Sequence, residues 1–142
     1  MSNEQKLILE KLQADEVVSF IKSLHINSMI VFGSVITEEF TCESDIDIAI
    51  LANGKLSIND ILNVELFLED ILNIPIDVVD LNSSNLDLFI KIEILNKGKV
   101  LYTNDNNKEL DNFIDKLEWT YRENENYFYY RRRDLLRWIM IG

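Results

Sequence analysis

Met29-Ile30-Val31-Phe32-Gly33-Ser34, then ten residues, then Asp45-Ile46-Asp47-Ile48-Ala49-Ile50-Leu51 is the stretch that decides how this chain is read. The compact apolar run ends abruptly at Gly33-Ser34, as a buried strand does at a tight turn. In the second run carboxylates alternate with isoleucines until Asn53-Gly54 closes it, the period of a strand with two unlike faces. Alternation places Asp45 and Asp47 on one side and Ile46, Ile48 and Ile50 on the other.

Outward from this stretch, residues 4–25 carry Leu7, Leu9, Leu12, Val17, Val18, Phe20, Ile21 and Leu24 at helical spacing, with a break at Ala14-Asp15 that predicts two helices. Ser57-Ile58-Asn59-Asp60 has the form of a capping box. Ile58, Ile61, Leu62, Leu66, Leu68 and Leu72 then supply one helix face that ends near Asn73, before Pro75. Ile76-Asp77-Val78-Val79-Asp80-Leu81 predicts a third strand. Ser84-Asn85-Leu86-Asp87 repeats the capping pattern ahead of a helix that Asn96-Lys97-Gly98 should end through a left-handed cap, and Val100-Leu101-Tyr102 adds a short edge strand. From about Asn106 the apolar spacing suits one long C-terminal helix or two. The expected architecture is an α/β (α+β) single domain over 1–142: helices over 1–25, a small mixed sheet over 26–102 with flanking helices mostly on one face, and a helical segment over 106–142.

Bulk properties narrow the function. At 142 residues and 47% apolar content, the chain can bury one core without staples. A formal charge of -11 works against sequence-independent binding to nucleic acid, which depends on Lys and Arg neutralising phosphates. Cys42 and His25 are the sole cysteine and histidine, which excludes a disulfide framework or a Cys/His zinc cluster within one chain. The polar opening Met1-Ser2-Asn3-Glu4-Gln5-Lys6 lacks the design of a signal peptide, and no run approaches the roughly 20 apolar residues of a spanning helix. A cytoplasmic protein with no membrane partner is expected.

The chemistry lies in the carboxylates. Asp45 and Asp47 repel one another unless a cation sits between them, and Mg²⁺ suits a site with one or two protein carboxylates completed by water and substrate phosphates. Gly33 lets a backbone approach closely, and a helix beginning at Ser34 would turn N–H groups and a hydroxyl toward phosphate oxygens. A two-metal transfer site ordinarily has a third carboxylate, for which the next strand offers Asp77 and Asp80 on opposite faces. Asp77, inside the strand between apolar neighbours, is the choice over Asp80 near its end.

Gly33-Ser34, ten residues, Asp45-x-Asp47, then Ile76-Asp77-Val78-Val79-Asp80 resembles the polymerase-beta-type nucleotidyltransferase superfamily. Within it, the length, the N-terminal helical pair and the aromatic and basic C-terminal helix are similar to the minimal nucleotidyltransferase (MNT) antitoxins of HEPN/MNT toxin-antitoxin modules. That resemblance implies transfer of AMP from ATP, with Mg²⁺, onto a tyrosine of a partner HEPN toxin. It also implies that Asp45 and Asp47 hold the metal together with Asp77, which assists the incoming hydroxyl. Gly33 and Ser34 would hold the triphosphate, with Ser44 beside Asp45 in the same nucleotide-binding set. One departure is visible: where the family often continues with an Ala-Arg-Gly-like segment, this chain has Val35-Ile36-Thr37-Glu38-Glu39, without a basic residue. Two rival functions stay open, an antitoxin acting by contact alone and a nucleotidyltransferase acting on a small molecule such as an aminoglycoside. Assembly as a homo-oligomer, or with the toxin, is open as well. The cluster Tyr127-Phe128-Tyr129-Tyr130-Arg131-Arg132-Arg133 reads equally as a partner surface or as core aromatics with solvated arginines, and Trp119 and Trp138 read as core or interface fillers.

Overall fold

The computed structural model describes residues 1–41 and 43–123. Cys42, Tyr127–Arg133, Trp138 and the second half of the expected C-terminal helical segment lie outside the described residues.

Strand β2 (Ile46–Ala52) is buried at every position except Asp47, which is half-buried. It is an inner strand of a four-stranded mixed sheet in the order β3-β2-β1-β4. It pairs antiparallel with β1 (Ile26–Phe32) and parallel with β3 (Ile76–Asp80), while β4 (Lys99–Thr103) pairs antiparallel with the far side of β1. A strand covered on both faces needs apolar residues at both parities. β2 supplies them: Ile46, Ile48 and Ile50 join one core with Ile8, Val17 and Leu68, while Ala49 and Leu51 join a second with Ile94 and Leu110.

The helices divide accordingly. α1 (Asn3–Leu12), α2 (Asp15–Ser23) and α3 (Ile58–Leu72) cover the isoleucine face, and α4 (Leu88–Lys97) and α5 (Lys108–Glu123) cover the other. The expectation of helices mostly on one face is therefore corrected. Ala49 and Leu51, on the same parity as Asp47, are themselves core residues, so the carboxylate face is open only at the strand's beginning.

Local signals explain most boundaries. Ser2 and Gln5 form a reciprocal capping box at α1, and the Ser57 side chain accepts from Asp60 N at α3. Asn73, with φ 55°, ends α3 in the left-handed conformation that asparagine tolerates. Asp87 rather than Ser84 caps α4, accepting from Phe89 N. The left-handed cap expected at Gly98 is not found, since Gly98 is extended at φ -73°, ψ 162°. Ile58, Leu62 and Leu66 were expected in the core face of α3, yet they are 76%, 47% and 63% exposed. They follow one another at i, i+4, i+8 and form a row separate from buried Val64, Leu68 and Leu72. Trp119, at 64% exposed, does not fill the core.

β3 is an edge strand, and two of its outward N–H groups are occupied by side chains. Glu69 Oε1 accepts from Ile76 N at 3.1 Å and Glu65 Oε1 from Val78 N at 3.3 Å. Carboxylates from α3 thus occupy two of the positions that a further strand would use. Among the described residues, no helix is long and apolar enough to cross a membrane.

Candidate active site at the start of strands β2 and β3

The end of β1 and the beginnings of β2 and β3 lie side by side. In register, Phe32 faces Asp47 across the antiparallel pair and Asp77 neighbours Asp47 across the parallel pair. Asp47 and Asp77 therefore share one sheet face on adjacent strands. Asp45 stands just before β2, exposed, and adds its charge to theirs. Burial pushes the Asp47 carboxyl above the usual aspartate range, and the charges of Asp77 and then Asp45 push it further in the same direction.

Asp80 has the opposite parity and another task. It is 3% exposed, and its oxygens accept from Leu56 N at 2.8 Å and Asn82 N at 2.9 Å. The carboxylate is consumed in fixing the two loops that leave β2 and β3. The geometry groups Asp77, not Asp80, with Asp47.

Gly33 closes the site from the β1 side. It has φ +79°, a left-handed conformation, and a Cβ added there would overlap Asp47 Oδ2. Absence of a side chain is what lets the turn lie against the carboxylate. The helix expected at Ser34 is a single turn of 3-10 helix over Gly33–Ile36, so anion binding here would rest on individual N–H groups and the Ser34 hydroxyl, not on a helix dipole.

A residue not anticipated from sequence holds this turn. Gln5 of α1 is buried, and its side-chain amide donates to Val35 O at 2.9 Å and Thr37 O at 2.6 Å. The Ser2-x-x-Gln5 spacing announces a cap, but the second use of the same amide depends on α1 passing the turn in space. Ser44, expected beside the nucleotide, lies in the loop entering β2, where its Oγ accepts from Thr41 N at 3.0 Å.

Gly33 and Ser34 also line a cleft of about 570 Å³ beside the carboxylates. Phe32, Ile90 and Ile94 give it apolar surface, and Glu93 and Lys97 of α4 stand on its rim. The α4 residues carried no mark in the sequence beyond helical spacing. A smaller hollow of about 180 Å³ lies at the other end of the sheet, near Asn53 and Asn82, away from Asp47 and Asp77.

The donor set suits a hard cation. Asp47 and Asp77 offer only oxygens, and their mutual repulsion is what a divalent ion between them would relieve. Among the described residues, no three His, Cys, Asp or Glu side chains are grouped closely enough to hold a metal ion, so Asp45, Asp47 and Asp77 do not form a three-carboxylate cage.

A family model described as polymerase beta, nucleotidyltransferase, matches residues 15–107, from α2 through β4, which takes in the Gly33 turn and the strands that carry Asp47 and Asp77. The chain belongs to the polymerase-beta nucleotidyltransferase family. The resemblance carried by Gly33-Ser34 and Asp45-x-Asp47 thus holds at the level of the family. Solved structures similar to this nucleotidyltransferase share its fold at low identity. One is a toxin-antitoxin with AMP-PNP, 23% identical with a TM-score of 0.63 over 98% of this chain and 99% of that one. Another is the tri-AMPylated Shewanella oneidensis HEPN toxin in complex with MNT antitoxin, where the match is 22% identical with a TM-score of 0.60 over 96% and 98%. The toxin-antitoxin MntA-HepT matches at 20% identity and a TM-score of 0.60 over 95% and 98%. No curated protein gives a significant sequence match.

Proposed function

We propose that this chain is a Mg²⁺-dependent adenylyltransferase that moves AMP from ATP onto a tyrosine hydroxyl of a partner HEPN toxin and so acts as its antitoxin. The observation that carries the reading is the in-register pair Asp47 and Asp77, with Asp45 at its edge and Gly33, which lines the cleft, pressed against Asp47. Membership of the nucleotidyltransferase family supports the reaction class. The similar folds found in complexes of toxin with MNT antitoxin support the acceptor.

In this reading the acceptor oxygen attacks the α-phosphorus of ATP, the bond from that phosphorus to the bridging oxygen breaks, and pyrophosphate leaves. Asp77, the exposed member of the pair, takes the proton from the hydroxyl. Asp45 and Asp47 hold Mg²⁺, which when bound neutralises charge gathering on the phosphoryl oxygens. Gly33 and Ser34 orient the triphosphate by N–H and hydroxyl donors, and Gln5 keeps their turn from shifting. Catalysis is then chiefly positioning and electrostatics.

The test is transfer of label from α-labelled ATP, with Mg²⁺, to a co-expressed HEPN partner. Wild type should label the partner; Asp45→Asn/Asp47→Asn and Asp77→Asn should not, whereas Asp80→Asn, if folded, should retain labelling. Labelling lost with Asp80→Asn but kept with Asp77→Asn would reverse the assignment of the third carboxylate. A second reading, neutralisation by contact alone, draws on the exposed row Ile58, Leu62 and Leu66. It is favoured if Asp47→Asn still neutralises the toxin without labelling it.

A further inference from the structure

The turn that should cradle a triphosphate lacks positive charge: Val35-Ile36-Thr37-Glu38-Glu39 follows Gly33-Ser34, and Asp45, Asp47 and Asp77 stand close by. A polyanion entering such a site needs a cation besides the metal. Among the described lining residues of the cleft the one cation is Lys97, in the last turn of α4.

Two features place Lys97 there. Gly98 follows it, and a Cβ at Gly98 would come within 2.5 Å of Ile94 O and 2.6 Å of Ile30 Cγ2. Only a residue without a side chain lets the end of α4 press against β1 so close to Gly33. The Lys97 Nζ lies 3.4 Å from Glu93 Oε1, with both side chains largely exposed at 65% and 59%. An exposed i,i+4 pair of this kind contributes little, so the ammonium can exchange its carboxylate for a phosphate at small cost.

We infer that Lys97 binds the triphosphate of the nucleotide, supplying from α4 the charge that the Gly33-Ser34 turn lacks, with Glu93 as its resting partner. The inference rests on the nucleotide reading above and adds a residue to it. An ammonium on a flexible stem is a point charge suited to phosphate oxygens.

Calorimetric titration of the full chain with MgATP, magnesium tripolyphosphate and adenosine tests it. Lys97→Ala should weaken MgATP and tripolyphosphate about tenfold while adenosine is unchanged; Lys97→Arg should restore most of the loss. Glu93→Gln, which frees the ammonium, should leave MgATP binding equal or tighter. Wild-type affinity for MgATP and tripolyphosphate in Lys97→Ala would overturn the assignment, as would an equal loss for adenosine, which marks a general disturbance of α4. A wild-type chain that takes up no MgATP would overturn the nucleotide reading itself and Lys97's role with it.

Discussion

Gly33 has no side chain where Asp47 has its carboxylate: the Oδ2 atom of Asp47 occupies the space a Cβ at Gly33 would need. The turn after β1 and the acidic pair on β2 and β3 are therefore one unit, and disturbing either moves the other. Gly33→Ala should lose nucleotidyl transfer and also destabilise the fold. The left-handed backbone alone costs ~1–2 kcal/mol for an alanine, and the overlap with Asp47 adds to it. Chemical denaturation together with the labelling assay checks this; an alanine variant with wild-type stability and activity would show that the turn has room.

The Asp47 carboxyl titrates above its ordinary range because of burial and the neighbouring Asp77 and Asp45. A carboxyl raised in the folded state carries no penalty below its unfolded value of 3.8. The penalty grows as pH rises through the folded value and is complete above it. Asp47→Asn removes that penalty, so without Mg²⁺ the variant should melt higher than wild type at neutral pH, with the gap closing on acidification. Because the carboxylate keeps contact with solvent the gain is small, about 2 °C. Mg²⁺ should raise the melting temperature of wild type but not of Asp47→Asn. Melting curves across pH, with and without Mg²⁺, decide the matter.

Gln5 joins α1 to the turn that follows Gly33 through two donors to Val35 O and Thr37 O. Gln5→Ala leaves those carbonyls without the amide and breaks the capping box with Ser2, a loss of ~1–3 kcal/mol. Gln5→Glu keeps an acceptor for Ser2 N but turns a carboxylate toward two carbonyl oxygens, so it should be no better than alanine. Hydrogen exchange should rise in residues 33–37 of both variants, and the KM for ATP should rise more than kcat falls. Unchanged exchange in that segment would mean that other contacts hold the turn.

Neighbouring leucines on α3 should behave oppositely. Leu68 is fully buried and Leu66 is 63% exposed. Leu68→Ala should cost ~2–5 kcal/mol, whereas Leu66→Ala should stay within ~0.5 kcal/mol of wild type in urea unfolding. Equal losses would place Leu66 in a contact within the folded chain.

Much of this molecule was legible from the order of its residues. The strands at 26–32, 46–52 and 76–80 and the helix start at Ser57 follow from period, apolar runs and a capping side chain, which are local. The alternation that sets Asp47 opposite to Ile46 and Ile48 also follows, because it needs no partner strand; Asp45, read as part of that strand, stands just before it. What misled was local likeness without knowledge of neighbours. Ile58, Leu62 and Leu66 look like core residues, but whether an aliphatic row is covered depends on what lies opposite it. Gly98 looks like a left-handed cap, yet the close approach of β1 is what requires a glycine there.

The sequence by itself determined the parity of Asp77 against Asp80, the turn at Gly33 and the alternation that opposes Asp47 to the isoleucines of β2. Only the tertiary structure decided which of those carboxylates meet. Register between β2 and β3 sets Asp77 beside Asp47, while the loops leaving the strands take up Asp80 through Leu56 N and Asn82 N. It also brought Gln5 to that turn and Lys97, from the other helical layer, to the cleft the turn lines. Such meetings are made by the packing of two helical layers on a sheet, at sequence separations over which no local pattern extends.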